Sequence, residues 1–392
     1  MRKSTKIFLS LTLLLTIILN ILAWKSTGFC DFYVQNIFPL WGKSYGRITS
    51  VFPFSVGEMM IALLLVLLAA AVILGIAAII FYFHNKEKHR KFLKGTKLYY
   101  NLFACAMGVT ALVMTLNCFI LYHCSTFEEK YLTKLMNGNK EYSVSQLGEM
   151  RDYVVMRVNQ YAKMMERDEN GLIVYDGNME EEAIRAMKNM GEKYPQLSGY
   201  YVTPKKIATS EFLSQQYMQG YYFPFSMEAN YNDVMYIMCK PSTMCHELAH
   251  TKGFIYEDEA NLIGFLACIH SDDILFQYSG YLSVLTYIDN DFKASIQNNK
   301  QAYNSHVKIS SQVKKDRVFL TEDAWCEVEK KAVIQTATVK KASMTFIDTN
   351  LVLNGIEEGK ASYCAVVGLL MDYYSGSEDE YMLRQDYLAS QN

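Results

Sequence analysis

MMIALLLVLLAAAVILGIAAIIFYF, Met59 to Phe83, contains no charged residue and is apolar on every face of a helix. Such a helix has no polar side to give to water, and about 20 residues of this kind cross the hydrocarbon core of a bilayer. Two more runs lie either side of it: Ile7 to Trp24, and Leu102 to Tyr122, both without a charge. Aromatic or basic residues close the runs, as at Trp24-Lys25 and Tyr82-Phe83, where side chains of mixed polarity suit the membrane interface. After Ser125 no uncharged run approaches the ~18 residues a span needs. The sequence therefore predicts two unlike parts. Residues 1–124 form a membrane anchor with three transmembrane helices at about 7–24, 59–83 and 102–122, and residues 125–392 form one folded domain outside the bilayer.

Arg2, Lys3 and Lys6 resemble the basic start of a signal peptide, but the apolar run ends at Leu22-Ala23-Trp24-Lys25 with no small-x-small cleavage site. An uncleaved anchor is expected. The loop from His84 to Leu98 carries Lys86, Lys88, Arg90, Lys91, Lys94 and Lys97 against the single acid Glu87. Short basic loops stay in the cytoplasm, so the expectation is a multi-pass cell-membrane protein with a cytoplasmic N-terminus and an extracytoplasmic domain.

Over all 392 residues the chain is 51% hydrophobic and 20% charged with only 6 prolines, which excludes a disordered or collagen-like protein. A net charge of -2, with no stretch interleaving basic and aromatic residues, argues against nucleic acid as a partner. Of the 9 cysteines, Cys105 and Cys118 lie in the third run, while Cys30, Cys124, Cys239, Cys245, Cys268, Cys326 and Cys364 lie outside. That outer number is odd and the spacings match no metal knuckle or disulfide scaffold, so no pairing is assigned.

Within the domain, Ser143-Val-Ser-Gln146 is a capping box opening a helix to about Met165, and Asn178 to Tyr194 reads as a second helix. Gly171 to Tyr175 is at most a short strand. Ser198 to Val202, Gly220 to Phe225 and Asp233 to Met238 read as strands from their aromatic and β-branched content between Gly and Pro. Helices return from Ser242 onward, including one that starts near Pro241, one from Glu322 to Thr336 and one from Tyr363 to Tyr374. The fold expected is an α-rich α+β domain with a small sheet.

The helix near Pro241 carries His246-Glu247-Leu248-Ala249-His250. Residues four apart sit one turn above each other, so both imidazoles can reach one metal ion while Glu247, about 100° round, borders an open position. With 7 histidines in the chain the pattern would arise by chance in on the order of 0.01 sequences of this length. Two zinc ligands and a general base are the reading. A catalytic zinc takes a third protein ligand. Gly253 can end the helix in a left-handed turn, and Glu257-Asp258-Glu259-Ala260-Asn261 opens the next helix, with Leu262, Ile263, Phe265 and Leu266 packing inward. Glu257 and Asn261 share a face, so Glu257 is preferred as third ligand with Asn261 supporting a ligand; Glu259 points the other way and is the alternative. The plain reading of these acids is a solvated helix N-terminus stabilised by the helix dipole. His270, Tyr256 and Tyr363 are left outside the site, as capped or packed side chains.

HELAH followed by TKGF and EDEAN resembles an uncharacterised family of bacterial membrane proteins, grouped under a domain of unknown function and regarded as zinc metallopeptidases. Gly220 to Asn230 and the stretch from Gly359 to Tyr374 also look like that family, so the resemblance covers the whole chain. It is similar at a distance to the gluzincins, where a Glu with Ala three and Asp four residues later supplies the third ligand and its support. Glu257 and Ala260 match, while Asn261 replaces the Asp. Gly253 is similar to the glycine of metzincins, but Tyr256 stands where their third histidine belongs. The resemblance implies a zincin-like, membrane-anchored zinc metallopeptidase acting on peptide or protein substrates, with zinc on His246, His250 and Glu257 and with Glu247 as general base. The competing expectation is a non-catalytic membrane receptor or assembly factor keeping a structural zinc site; a base beside an open position argues against it. An intramembrane protease is disfavoured because the motif lies far beyond the last apolar run.

Overall fold

The computed structural model describes residues 3–132, 142–353 and 365–375. Three helices, Lys3–Lys25, Val56–His84 and Lys86–His123, are long and apolar enough to cross a membrane. The second and third form a hairpin turning on Asn85, whose side chain accepts from the Lys88 amide and caps the third helix. The first packs along the third, where Gly108 admits Leu9 so closely that a Cβ would come within 2.8 Å of its Cδ1. Asn20 Nδ2 donates to Thr115 Oγ1 at 2.8 Å across the same contact. Small residues and interhelical hydrogen bonds of this kind hold helices together in lipid, where hydrophobic burial gives little. No residue of the second helix's apolar window is buried, and most of its large apolar side chains are exposed.

The remainder is helix-rich. Helices Val144–Met164, Met179–Lys193, Lys240–His250, Glu257–Ile269, Ile274–Ser295 and Val366–Ser375 surround one core containing Val155, Val158, Met187, Leu248, Ile263, Phe276 and Leu370. The capping box at Ser143 and Gln146 forms as expected, and Asn178 caps the second of these helices. A three-stranded sheet of β1 (Lys205–Lys206), β2 (Gly220–Phe223) and β3 (Glu228–Tyr231) has the order β1-β3-β2. β2 pairs antiparallel with β3, Tyr221 facing Asn230, and β1 pairs parallel with it.

Three expectations are corrected. Asp233 to Met238 is not a strand: Asn232 Oδ1 accepts from the Val234 amide, Asn232 Nδ2 donates to Ser214 Oγ, and the Asp233 amide donates to Ser210 Oγ. This local side-chain bonding ends the ladder after Tyr231. Ser198 to Val202 is also irregular, with Gly199 at φ +90° and the Tyr201 hydroxyl donating back to the Leu197 carbonyl at 2.5 Å. The helix expected over Glu322 to Thr336 is broken into Glu322–Lys331 and Thr336–Leu353, and Gln215 Nε2 bonds the Ile334 carbonyl in the break and Thr336 Oγ1 at the start of the second piece. Tyr363, where the last expected helix begins, lies outside the described residues; the helix is seen over Val366–Ser375.

The anchor and the domain are packed into each other. Between the first two long helices the chain forms short helices over Thr27–Asn36, Phe38–Trp41 and Arg47–Ser50. Cys30, Tyr33, Val34 and Phe38 from this segment bury with Ile120 and Leu121 against Met227 and Ile255. Each of the larger apolar side chains contributes on the order of 2 kcal/mol when fully buried. The polar link is Glu228 of β3, which accepts from the amides of Val56 (3.0 Å) and Gly57 (2.7 Å), from Ser226 Oγ and from Lys205 Nζ (both 2.6 Å). Its carboxylate thus sits at the N-terminus of the second long helix, where unpaired amides and the helix dipole favour a negative charge. Lys205 Nζ also donates to the carbonyls of Thr49 (2.6 Å) and Phe54 (3.0 Å). Among the described residues the cysteines are thiols, and the buried sulfurs of Cys245 and Cys268 lie 3.8 Å apart.

Candidate metal centre

The helix Lys240–His250 starts with Pro241 in its first turn, where the missing amide costs nothing, and ends at Thr251. Its apolar face, Met244, Cys245, Leu248 and Ala249, is fully buried, which turns His246 and His250 toward the sheet and the next helix. After His250 the chain reverses at Gly253, φ +89°, a left-handed conformation that glycine adopts without strain. A Cβ there would also lie 2.4 Å from Val34 Cγ2, so the turn admits no side chain. The reversal brings the helix Glu257–Ile269 back against the first. Gly264 permits the approach: a Cβ at this position would stand 3.1 Å from the His246 amide nitrogen.

Three donor atoms meet in the crevice so formed. His246 Nε2 and His250 Nε2 are 3.1 Å apart, and Glu257 Oε2 lies 3.1 Å from the first and 3.8 Å from the second. The other nitrogen of one ring is held: His250 Nδ1 bonds the Phe254 carbonyl at 2.7 Å, while Asn261 lies beside His246 with its own Nδ2 buried and without a partner. Such an outer contact fixes the tautomer of His250 and aims its Nε2 inward. Burial, with the neighbouring His246, pulls His250 down to about 4, so at neutral pH it is the uncharged imidazole a metal requires. Burial also acts to lower His246, but Glu257 overcomes it and holds His246 above its ordinary value.

Glu247 lies beside this group; its donor atom and those of His246 and His250 fall within 4.8 Å of one another. Its Oε2 is buried with no hydrogen-bond partner. Burial pushes its carboxyl up to about 8, with His246 opposing. Gly220 at the start of β2 makes room for it: a Cβ there would come within 2.8 Å of Glu247 Oε1 and 2.6 Å of the Asn230 carbonyl oxygen. Tyr222, two residues along β2, sets its ring 6.2 Å from that of His250.

The structure therefore brings together His246, Glu247, His250 and Glu257, with Asn261 behind them. Glu259 goes elsewhere: it is buried and accepts from the Phe127 amide, on the far side of its helix. Tyr256 donates to the Tyr122 carbonyl at 2.6 Å, and His270 Nδ1 bonds the Leu266 carbonyl. Sequence reasoning missed Gly220, Tyr222 and the Phe254 carbonyl. Gly220 alone had a signal, as a glycine opening an aromatic strand.

Two imidazoles and a carboxylate on adjacent helices, with a buried, unpartnered carboxylate oxygen beside them, give a helix-rich protein with three helices able to cross a membrane a site that could hold a divalent metal. The sequence matches, over residues 33–371, the family described as "Protein of unknown function (DUF3810)", and the chain belongs to that family. No curated protein and no solved structure matches it.

Proposed function

We propose that this protein is a membrane-anchored zinc metallopeptidase with a zincin-like domain, hydrolysing peptide bonds with Glu247 as general base. The observation that carries the reading is the convergence of His246 Nε2, His250 Nε2 and Glu257 Oε2 within 3.8 Å, beside a buried Glu247 oxygen with no partner. Two imidazoles with one carboxylate suit zinc, and a set of three leaves a fourth position for water or substrate. Zinc bound there would polarise the scissile carbonyl and lower the pKa of water.

The chain's own groups do the rest. Glu247 Oε2 takes a proton from the attacking water and delivers it to the departing amine nitrogen. The Phe254 carbonyl keeps the His250 ring from turning. β2 is an edge strand of the sheet, and an extended peptide adding to it would run past Glu247, which touches the strand at Gly220. The basic Lys86 to Lys97 segment supports a cytoplasmic hairpin and a catalytic domain on the extracytoplasmic side.

The test uses the full chain in lipid nanodiscs, loaded with zinc and given a peptide library. Glu247→Gln should retain the metal and lose about 100-fold or more in cleavage rate, as removal of a general base does. Equal cleavage by the variant would overturn the mechanism, and zinc binding with no cleavage by the parent would turn the reading to a structural site.

A further inference from the structure

The three long helices end on the same side as the metal centre. The first stops at Lys25, the second starts at Val56 under the Glu228 carboxylate, and Asn117 and Tyr122 near the end of the third bond residues beside the site. Counting about 20 residues of bilayer core from Leu98, just past the last lysine of the basic segment, brings the third helix to the lipid surface near Asn117. Asn117 Nδ2 donates to the Pro224 carbonyl at 2.8 Å, and its own carbonyl accepts from the Tyr222 hydroxyl at 3.4 Å. Tyr222 is the residue whose ring faces His250. One tyrosine therefore separates a metal ligand from the outer end of a spanning helix.

The segment joining the first two spans is two-sided. Toward the domain, Thr49 Oγ1 donates to the Ser226 carbonyl, Val34 fills the space over Gly253, and the Arg47 guanidinium stacks 4.6 Å from the Tyr200 ring. The other side leaves Leu40, Ile48, Val51, Phe52 and Phe54 exposed, Val51 by 80%. Exposed apolar clusters mark a surface with an occupant. This one is continuous in sequence with two spanning helices, its chain entering at Lys25 and leaving at Val56, the ends of those helices on the side of the site. Lipid is the occupant it fits.

We infer that residues 37–54 lie in the headgroup layer and that the metal centre consequently acts on peptide segments only a few residues from their own membrane anchor. The substrate half of this inference rests on the peptidase reading. The geometry gives its reach: an extended chain covers about 3.3 Å per residue, so roughly four residues bridge the tyrosine-wide gap between bilayer and site. A membrane-tethered segment arrives at a high effective concentration and at a fixed height, whereas a free peptide has neither advantage.

Two measurements on the full chain in phosphatidylcholine vesicles test it. An environment-sensitive fluorophore on Val51→Cys, in a Cys326→Ser, Cys364→Ser background, should be quenched roughly two-fold by nitroxide-labelled lipid, consistent with burial at the acyl boundary. The same fluorophore on Asn170→Cys, in the exposed turn after Met164, should not be quenched. No quenching at position 51, or equal quenching at both, overturns the placement. For the substrate, one peptide sequence is offered free and linked to a transmembrane anchor, with cut positions read by mass spectrometry. The anchored form should be cut at least ~10-fold faster, within the first few residues beyond the anchor. Equal rates, or cuts scattered along the peptide, overturn the substrate class while leaving the peptidase reading intact. Quenching with no cleavage of either form overturns the peptidase reading and its substrate together, and leaves the lipid contact standing.

Discussion

Gly264 meets His246 backbone to backbone: a Cβ on the first would lie 3.1 Å from the amide nitrogen of the second and 3.1 Å from the Ser242 carbonyl oxygen. The distance between the two helices bearing the donor atoms is set at this contact. Gly264→Val should push Glu257 out of reach and lower zinc affinity by roughly 10-fold or more, the range seen when support for metal ligands is lost. Metal content after dialysis against a graded chelator measures it. Unchanged affinity in a folded Gly264→Val protein would show that the helices are spaced by something else.

Glu257 and Glu259 lie two residues apart and should respond oppositely. Glu257→Ala removes an atom 3.1 Å from His246 Nε2 and should abolish stoichiometric zinc binding. Glu259→Ala leaves the buried Phe127 amide without its acceptor, a loss of about 1–3 kcal/mol in stability, with zinc retained. Zinc analysis beside thermal unfolding of both variants separates the roles. Zinc loss in the second variant alone would reverse them.

At Gly253 two penalties coincide. Gly253→Ala puts a side chain into a left-handed conformation, at about 1–2 kcal/mol, and drives a Cβ into Val34. The double variant with Val34→Ala should recover the steric part and keep the conformational part. If Val34→Ala gives no recovery in the unfolding temperature, the contact between the turn and the first outer helix is not tight.

A buried polar group far from the metal centre predicts acid sensitivity. Burial alone would raise the Asp289 carboxyl, but hydrogen bonds from Lys293 and Tyr303 and the Arg151 guanidinium outweigh it and hold the group below its ordinary 3.8. A carboxylate with a lowered folded-state pKa stabilises the fold above the ordinary value, and that contribution is lost as pH falls through the lowered one. Asp289→Ala should cost about 3 kcal/mol at neutral pH, leaving Arg151 buried without this partner. The variant should also lose less on going to about pH 3 than the parent does, as read by unfolding temperature. An equal acid-induced fall in both proteins would assign the sensitivity to other groups.

The helices were legible because their signals are local: an uncharged run at Met59 to Phe83, a capping box at Ser143, Pro241 at a helix start, and Gly253 where the chain must turn back. His246, Glu247, His250 and Glu257 were legible for the same reason, since one helix and the turn after it bring them together. The sheet was not. Glu228-Ala-Asn-Tyr231 is fully buried, yet reads as polar, because Glu228 is satisfied by amides of residues 56 and 57, far away in the sequence. Conversely, Asp233 to Met238 has strand-like residues but no partner strand, and Asn232 bonds locally before it. Gly220 and Tyr222 act across tertiary contacts with Glu247 and His250, which no spacing along the chain encodes.

The four-donor environment of Glu228 also decides how the protein can be cut. A fragment beginning at Ser125 would retain Ser226 and Lys205 but lose the Val56 and Gly57 amides, and Lys205 would lose the Thr49 and Phe54 carbonyls. It would also expose Met227 and Ile255, which now bury against Tyr33, Val34 and Phe38. The anchor is therefore not a removable tether but one wall of the domain, and a soluble truncation would begin life with a carboxylate stripped of two of its four donors and an open apolar seam one strand away from the candidate metal site.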